Sequence, residues 1–163
     1  SCLSMDEPTE LRPIRSLIGE SFDGEDTDAE SLVRTVVPTR TFLEKLFLLA
    51  EEFQKEKPRS VRMSRHLYDL EKLMDTEYGK DALSNRKLYD AIVEHRKTYY
   101  ALKYVNYDLH TPSTINFTIP ESAMEAWQDD YADMRRFFIY GESLEFGALI
   151  QKMKELQERV RIM

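Results

Sequence analysis

Thr41-Phe42-Leu43-Glu44-Lys45-Leu46-Phe47-Leu48-Leu49-Ala50 reads as a helix that is apolar on nearly every side. A helix of that kind belongs inside a packed domain rather than on its surface. Thr41 and Glu44 have the spacing of a capping box, in which hydroxyl and carboxylate satisfy the first free amides. The helix is therefore predicted to start at Thr41 and to run to about Glu56, ahead of Pro58. Downstream, Val61, Leu67, Leu70, Leu73 and Met74 predict a second helix from about Ser60, stopped at Gly79. Leu88, Ile92, Val93 and Tyr99 mark the inner face of a third, from about Asn85 to Tyr104. Ile115-Asn116-Phe117-Thr118-Ile119 alternates, which fits either a brief strand or an extended connector held by its apolar residues. A fourth helix is expected from about Glu121 to Tyr140, ended by Gly141. A fifth, capped by Ser143, carries Phe146, Leu149, Ile150, Met153, Leu156 and Val160.

Upstream the pattern is different. Pro8, Pro13, Gly19 and Gly24 make residues 1–30 irregular, with room for one short helical turn between Leu11 and Ile18 and a mobile loop from Gly19 to Glu30. Leu32-Val33-Arg34-Thr35-Val36-Val37 is rich in β-branched residues and halts at Pro38, which predicts a short strand with no evident partner. The predicted fold class is mainly α: a bundle of about five helices behind a short extended segment. Residues 1–38 form the irregular, extended part and residues 39–163 a helical domain.

The composition bounds the function. With 163 residues, 42% of them hydrophobic, the chain can bury one core. A formal charge of -7 excludes an undirected affinity for nucleic acid and leaves a local basic patch open. Cys2 is the only cysteine, so neither an intrachain disulfide nor a cysteine zinc site can form. No stretch approaches the roughly 20 apolar residues that cross a bilayer. No membrane association and a cytoplasmic location are expected.

Lys45 is the candidate that stands out, sharing a helical face with Thr41, Leu48, Leu49 and Glu52. An unpaired ammonium there is costly, so it either reaches water, pairs with Glu52 or a carboxylate of the next helix, or meets a phosphate. If the first two helices pack antiparallel, Lys45 and Asp69 lie at the same level and can meet. Arg62, Arg65, Asp69 and Lys72 recur at intervals of three and four, which stacks them on one face with His66 alongside. That face is either a solvated one with an ordinary Arg65–Asp69 pair, or a phosphate- or RNA-binding one. His95 and His110 are isolated and read as structural or surface residues. Asp129, Asp130 and Asp133 read as a solvated acidic edge, and Tyr99-Tyr100 and Phe137-Phe138 as core rather than as a base-stacking platform.

Pro38-Thr39-Arg40-Thr41-Phe42-Leu43-Glu44-Lys45-Leu46, then Arg62-Met63-Ser64-Arg65-His66-Leu67-Tyr68-Asp69-Leu70, then Asp130-Tyr131-Ala132-Asp133-Met134 resemble, in order and distance, motifs of the AbiEii-type nucleotidyltransferases. These are toxins of bacterial toxin-antitoxin and abortive infection systems. The resemblance covers about residues 33–160. It implies a protein of two parts, an α+β nucleotidyltransferase half followed by a helical half, that uses Mg2+ and an NTP to add nucleotides to an acceptor such as tRNA and is neutralised by an antitoxin protein. It also implies that Lys45 and Asp69 belong to the active site; the functional reading of the charged stripe adds Arg62 and Arg65 as ligands of phosphate or RNA beside Lys45, with Asp69 aligning Lys45 or Arg65.

The same resemblance implies a Gly-Ser turn with an Asp-x-Asp pair to hold the metal, and the sequence is read as lacking that motif. Nucleotidyl transfer needs a metal on the triphosphate and carboxylates to hold it. The expectation is therefore a C-terminal part whose N-terminal half is missing. Its first 38 residues would be left over from the nucleotidyltransferase sheet, and it would be inactive and without a metal or NTP of its own. The alternative is a non-catalytic helical module that docks an antitoxin protein or RNA.

Overall fold

In the computed structural model, which describes residues 8–17, 21 and 30–163, those residues form a β-hairpin followed by six α-helices. Strands β1 (Thr9–Arg15) and β2 (Glu30–Val36) pair antiparallel, with Leu11 opposite Arg34 and Pro13 opposite Leu32. Two expectations are corrected here. The stretch from Leu11, read as a helical turn, is strand as far as Arg15, and the partner that β2 was thought to lack is β1. Pro13 reads as a breaker, yet proline is tolerated on edge strands, and both strands of a two-stranded ribbon are edges. The segment Gly19 to Glu30, expected to be a mobile loop, lies almost wholly outside the described residues.

Helix α1 (Pro38–Glu52) begins three residues before the supposed capping box. Extended Val37 precedes Pro38, whose fixed φ suits the first helical turn and whose missing N–H is no loss there. Thr41 thus lies inside the helix, and Glu44 is free for the ion pairs described below. Phe42, Leu43, Leu46, Phe47 and Leu49 are fully buried, so α1 is the central rod of the domain. It packs against α2 (Ser64–Leu73), α3 (Glu77–Ser84) and α4 (Arg86–His95). In turn α2 packs against α5 (Met124–Phe137) and α6 (Phe146–Arg161).

The predicted second helix divides in two, because Gly79 marks a close approach rather than a stop. A Cβ on Gly79 would lie 2.3 Å from the Leu73 carbonyl oxygen, so only glycine lets the start of α3 fold against the end of α2. Thr76 makes the corner: its hydroxyl donates to the Leu73 carbonyl at 2.7 Å and accepts from the Gly79 amide at 3.3 Å. The third predicted helix ends early. Asn85 caps α4 by accepting from the Leu88 amide at 3.0 Å, and after His95 one wide turn, Arg96–Tyr100, closes on Ala101 in the left-handed region.

Ile115–Ile119 is a connector, not a strand. Ile115, Phe117 and Ile119 are buried, and Gln157 of α6 takes the place of a strand partner. Its amide donates to the Ile115 carbonyl at 2.7 Å and its oxygen accepts from the Phe117 amide at 3.2 Å. A single 3-10 turn precedes α5, and α6 starts after Glu145, so Ser143 caps nothing and accepts from Arg135 instead. No helix among the described residues is long and apolar enough to cross a membrane.

Candidate functional site

Lys45 and Asp69 meet. The Lys45 Nζ lies 2.7 Å from the Asp69 Oδ2, with about a fifth of the lysine side chain and a third of the aspartate exposed. The helical rise brings them level: Glu52 at the end of α1 accepts from the Arg59 amide at 2.7 Å just ahead of α2, while Lys45, earlier in α1, pairs with Asp69, later in α2, the antiparallel order. Glu52, the other carboxylate within reach of Lys45 along its own helix, is taken by Lys55 at 2.7 Å. The pair is only partly exposed and stabilises the fold by roughly 1 kcal/mol, so its value lies in holding the ammonium at one place at the mouth of the α1–α2 seam.

Beside the pair sits His66, buried, with its Nδ1 lacking a hydrogen-bond partner. Burial first, and then the positive charges of Lys45 and Arg65, push its pKa down to about 4, so the ring is neutral at pH 7. Arg65 is exposed and, among the described residues, has no ion-pair partner, because Asp69 is engaged by Lys45. The ordinary Arg65–Asp69 pair considered from the spacing does not form. Lys72 lies by Glu71 at 3.3 Å and over the Tyr68 ring.

Arg62 does not belong to the helical stripe. It lies two residues ahead of α2 and adopts a left-handed φ of 60°. Its amide donates to the Asp130 Oδ1 at 2.5 Å, while the Ser64 amide and hydroxyl donate to Oδ2 at 2.9 and 2.5 Å. Asp130, read as part of a solvated acidic edge, is therefore the carboxylate that caps α2 from another helix. The Arg62 guanidinium is thrown outward over the Phe138 ring, 5.9 Å from its centroid.

Several features escape the sequence reading. Arg96 is buried and grips Glu51 with two bonds of 2.8 and 2.6 Å while also touching Glu44, which pairs with Arg40 at 3.1 Å. Burial opposes the Arg96 charge, but these carboxylates raise its pKa on balance. The available signal was Glu44 and Glu51, seven residues apart on one face of an otherwise apolar helix. His110 is structural: it stacks on Phe47 and bonds Gln54 at 3.1 Å, and burial lowers its pKa to about 4. Trp127 and Tyr131 are core, but Tyr99, Tyr100, Phe137 and Phe138 are exposed, against expectation.

A family model described as "Nucleotidyl transferase AbiEii toxin, Type IV TA system" matches residues 3–154. The chain belongs to the AbiEii family. No curated protein and no solved structure matches it. Membership of a type IV toxin-antitoxin family makes this AbiEii chain a nucleotidyltransferase toxin by family and implies an antitoxin as its partner. The fold of the AbiEii chain brings its three motif segments together, the first to the second through Lys45 and Asp69, and the second to the third through Arg62, Ser64 and Asp130.

The Mg2+ that nucleotidyl transfer implies does not fit the described part of this AbiEii chain. Among the described residues no group of three or more His, Cys, Asp or Glu is placed to hold a metal ion, and the Lys45 site offers one carboxylate already paired with an ammonium. Gly-Ser is absent from the sequence, but the reading that no Asp-x-Asp occurs needs correction: Asp26-Thr27-Asp28 has that form. It follows no Gly-Ser turn and lies outside the described residues.

Proposed function

We propose that this AbiEii chain serves the transfer of a nucleotide from an NTP to an acceptor such as tRNA, and that the seam between α1 and α2 is its phosphate-handling side. In that reaction the acceptor hydroxyl oxygen bonds to the α-phosphorus and gives up its proton to solvent, the bond from the α-phosphorus to the oxygen bridging to the β-phosphate breaks, and pyrophosphate leaves. Negative charge grows on the phosphate oxygens, and a positive group fixed in advance lowers the barrier. Lys45 is that group. Asp69 is a positioning residue that holds the ammonium, and Arg65 and Arg62 supply further cations toward phosphate. Mg2+ and the NTP belong to the reaction, but the described residues do not cage a metal and no step is derived through one. The single observation that carries the reading is the 2.7 Å Lys45–Asp69 pair, which joins two motif segments next to an arginine with no carboxylate of its own.

The test uses the protein as its gene encodes it. Expressed without its antitoxin, it should arrest bacterial growth and, purified, should label tRNA from one of the four radiolabelled NTPs with Mg2+. The 163-residue chain run alongside is expected to label nothing. Absence of both arrest and labelling in the gene product would remove the reading.

A further inference from the structure

Where α5 ends, the chain leaves a run of aromatic side chains in the open: Phe137 is 55% exposed, Phe138 59% and Tyr140 95%. Exposed rings in such a run are unusual on a domain that has a core to fill. Here they are interleaved with cations. The Arg62 guanidinium covers one side of Phe138, and Arg136 lies 4.9 Å from the Phe137 centroid. Arg59 and Arg65 flank Arg62 in the chain, and neither they nor Arg62 and Arg136 form an ion pair among the described residues. Four arginines without an ion pair among the described residues, of which the Arg59 guanidinium donates only to the Met63 sulfur at 3.0 Å, are a local exception on a protein of net charge -7. The carboxylates of the neighbouring elements are Asp69 and Glu71 on α2, Glu125, Asp129, Asp130 and Asp133 on α5, and Glu142; of these, Asp69 pairs with Lys45, Glu71 with Lys72, and Asp130 is saturated by the amides of Arg62 and Ser64 and by the Ser64 hydroxyl.

The backbone is bent to make this arrangement. A left-handed φ is disfavoured for a non-glycine residue, and Arg62 is held there by the Asp130 carboxylate with its guanidinium delivered to the ring. An aromatic face with guanidinium beside it, continued by further unpaired guanidinium groups, matches the alternation of base and phosphate along a single strand. A duplex keeps its base faces stacked and closed to such a platform.

We propose that Phe138 and Arg62, with Phe137, Arg59 and Arg65, form a platform for single-stranded RNA, one base stacking on Phe138 and the adjoining phosphates lying on the arginines toward Lys45. This rests on the acceptor of the reaction being a nucleic acid, and it names the part of that acceptor the chain holds: an unpaired segment. Because Phe138 and Arg62 are surface side chains, replacing them leaves the core untouched, which a thermal melt can verify.

The experiment is fluorescence anisotropy of the whole chain with an end-labelled single-stranded RNA of about 12 nucleotides, repeated with the same RNA annealed to its complement, and with no NTP present. The single strand should bind more tightly than the duplex. Phe138→Ala should weaken single-strand binding about tenfold, in line with stacking of roughly 1–3 kcal/mol per base. Arg62→Ala should weaken it and lower the slope of log K against log salt by about 0.7. Equal binding of single strand and duplex, or unchanged affinity in Phe138→Ala, would overturn the platform. So would a loss in Phe138→Ala of antitoxin capture alone, which would make the surface a protein interface. Binding needs no catalysis, so Phe138-dependent binding by a protein that never labels tRNA removes only the transferase reading, and transfer with Phe138-independent binding removes only the platform.

Discussion

Replacing Asp130 with alanine should destabilise the fold out of proportion to the position's place on an acidic helix face. The carboxylate accepts three hydrogen bonds, and one donor, Ser64, is fully buried at the start of α2. Losing a helix cap costs about 0.5–2 kcal/mol, and a buried donor left without a partner costs roughly 1–3 kcal/mol. Against this, Arg62 is released from its left-handed conformation, which returns about 1 kcal/mol. The net is a loss of about 0.5–4 kcal/mol. For a domain of this size each kcal/mol corresponds to about 2–4 °C, so the melting temperature should fall by roughly 1–16 °C, with a parallel drop in the urea midpoint at unchanged slope. Asp130→Asn, which keeps one acceptor oxygen, should fall between the two. A melt of Asp130→Ala within about 0.5 kcal/mol of the wild type would show that Asp130 does not hold the start of α2 and that the site's second and third motif segments are not coupled.

Three further outcomes follow from the geometry. Arg96→Met should cost about 3–5 kcal/mol in urea unfolding, because it leaves Glu51 buried and uncompensated, and adding Glu51→Gln should recover part of it; additive losses would contradict the coupling. Gly79→Ala, which on helix propensity alone should stabilise by about 1 kcal/mol, should instead destabilise, because the new Cβ meets the Leu73 carbonyl at 2.3 Å; a raised melting temperature would refute that contact. His66 and His110 both have folded pKa values of about 4, below the ordinary 6.5, so the unfolded chain binds more protons between those values. Their contribution is present above pH 6.5 and is lost as pH falls toward about 4, by roughly 1–2 kcal/mol for each at pH 5. His110→Gln should flatten about half of that dependence, and an unchanged profile would contradict it.

What the sequence disclosed and what it hid divide along physical lines. The apolar run of α1 and the leucines of α2 obey helical periodicity, and the fixed rise of the helix was enough to set Lys45 level with Asp69 across the seam. Local rules failed where long-range contact decides. Pro13 looks like a breaker until β2 lies beside it, Gly79 looks like a terminus until Leu73 presses on it, and Thr41 looks like a cap until Pro38 starts the helix earlier. Asp130 carries no mark of its partner, because the amides it caps stand more than sixty residues away. The exposed rings of Phe137 and Phe138 were misread for a similar reason: α5 stops at Phe137, so the spacing that would have turned them inward is not continued.

The central claim is that Lys45, held by Asp69, handles the phosphate of the transferred nucleotide. The measurement that bears on it most directly is the rate of tRNA labelling by the gene-encoded protein and its Lys45→Ala variant, with a thermal melt of each. Removing one preorganised charge from such a site should slow transfer by about 10²–10³-fold. The melting temperature should fall by only a few degrees, since this partly exposed ion pair contributes about 1 kcal/mol. Asp69→Asn should lose part of the rate and keep the fold. A Lys45→Ala protein that labels tRNA at the wild-type rate with an unchanged melt would contradict the account.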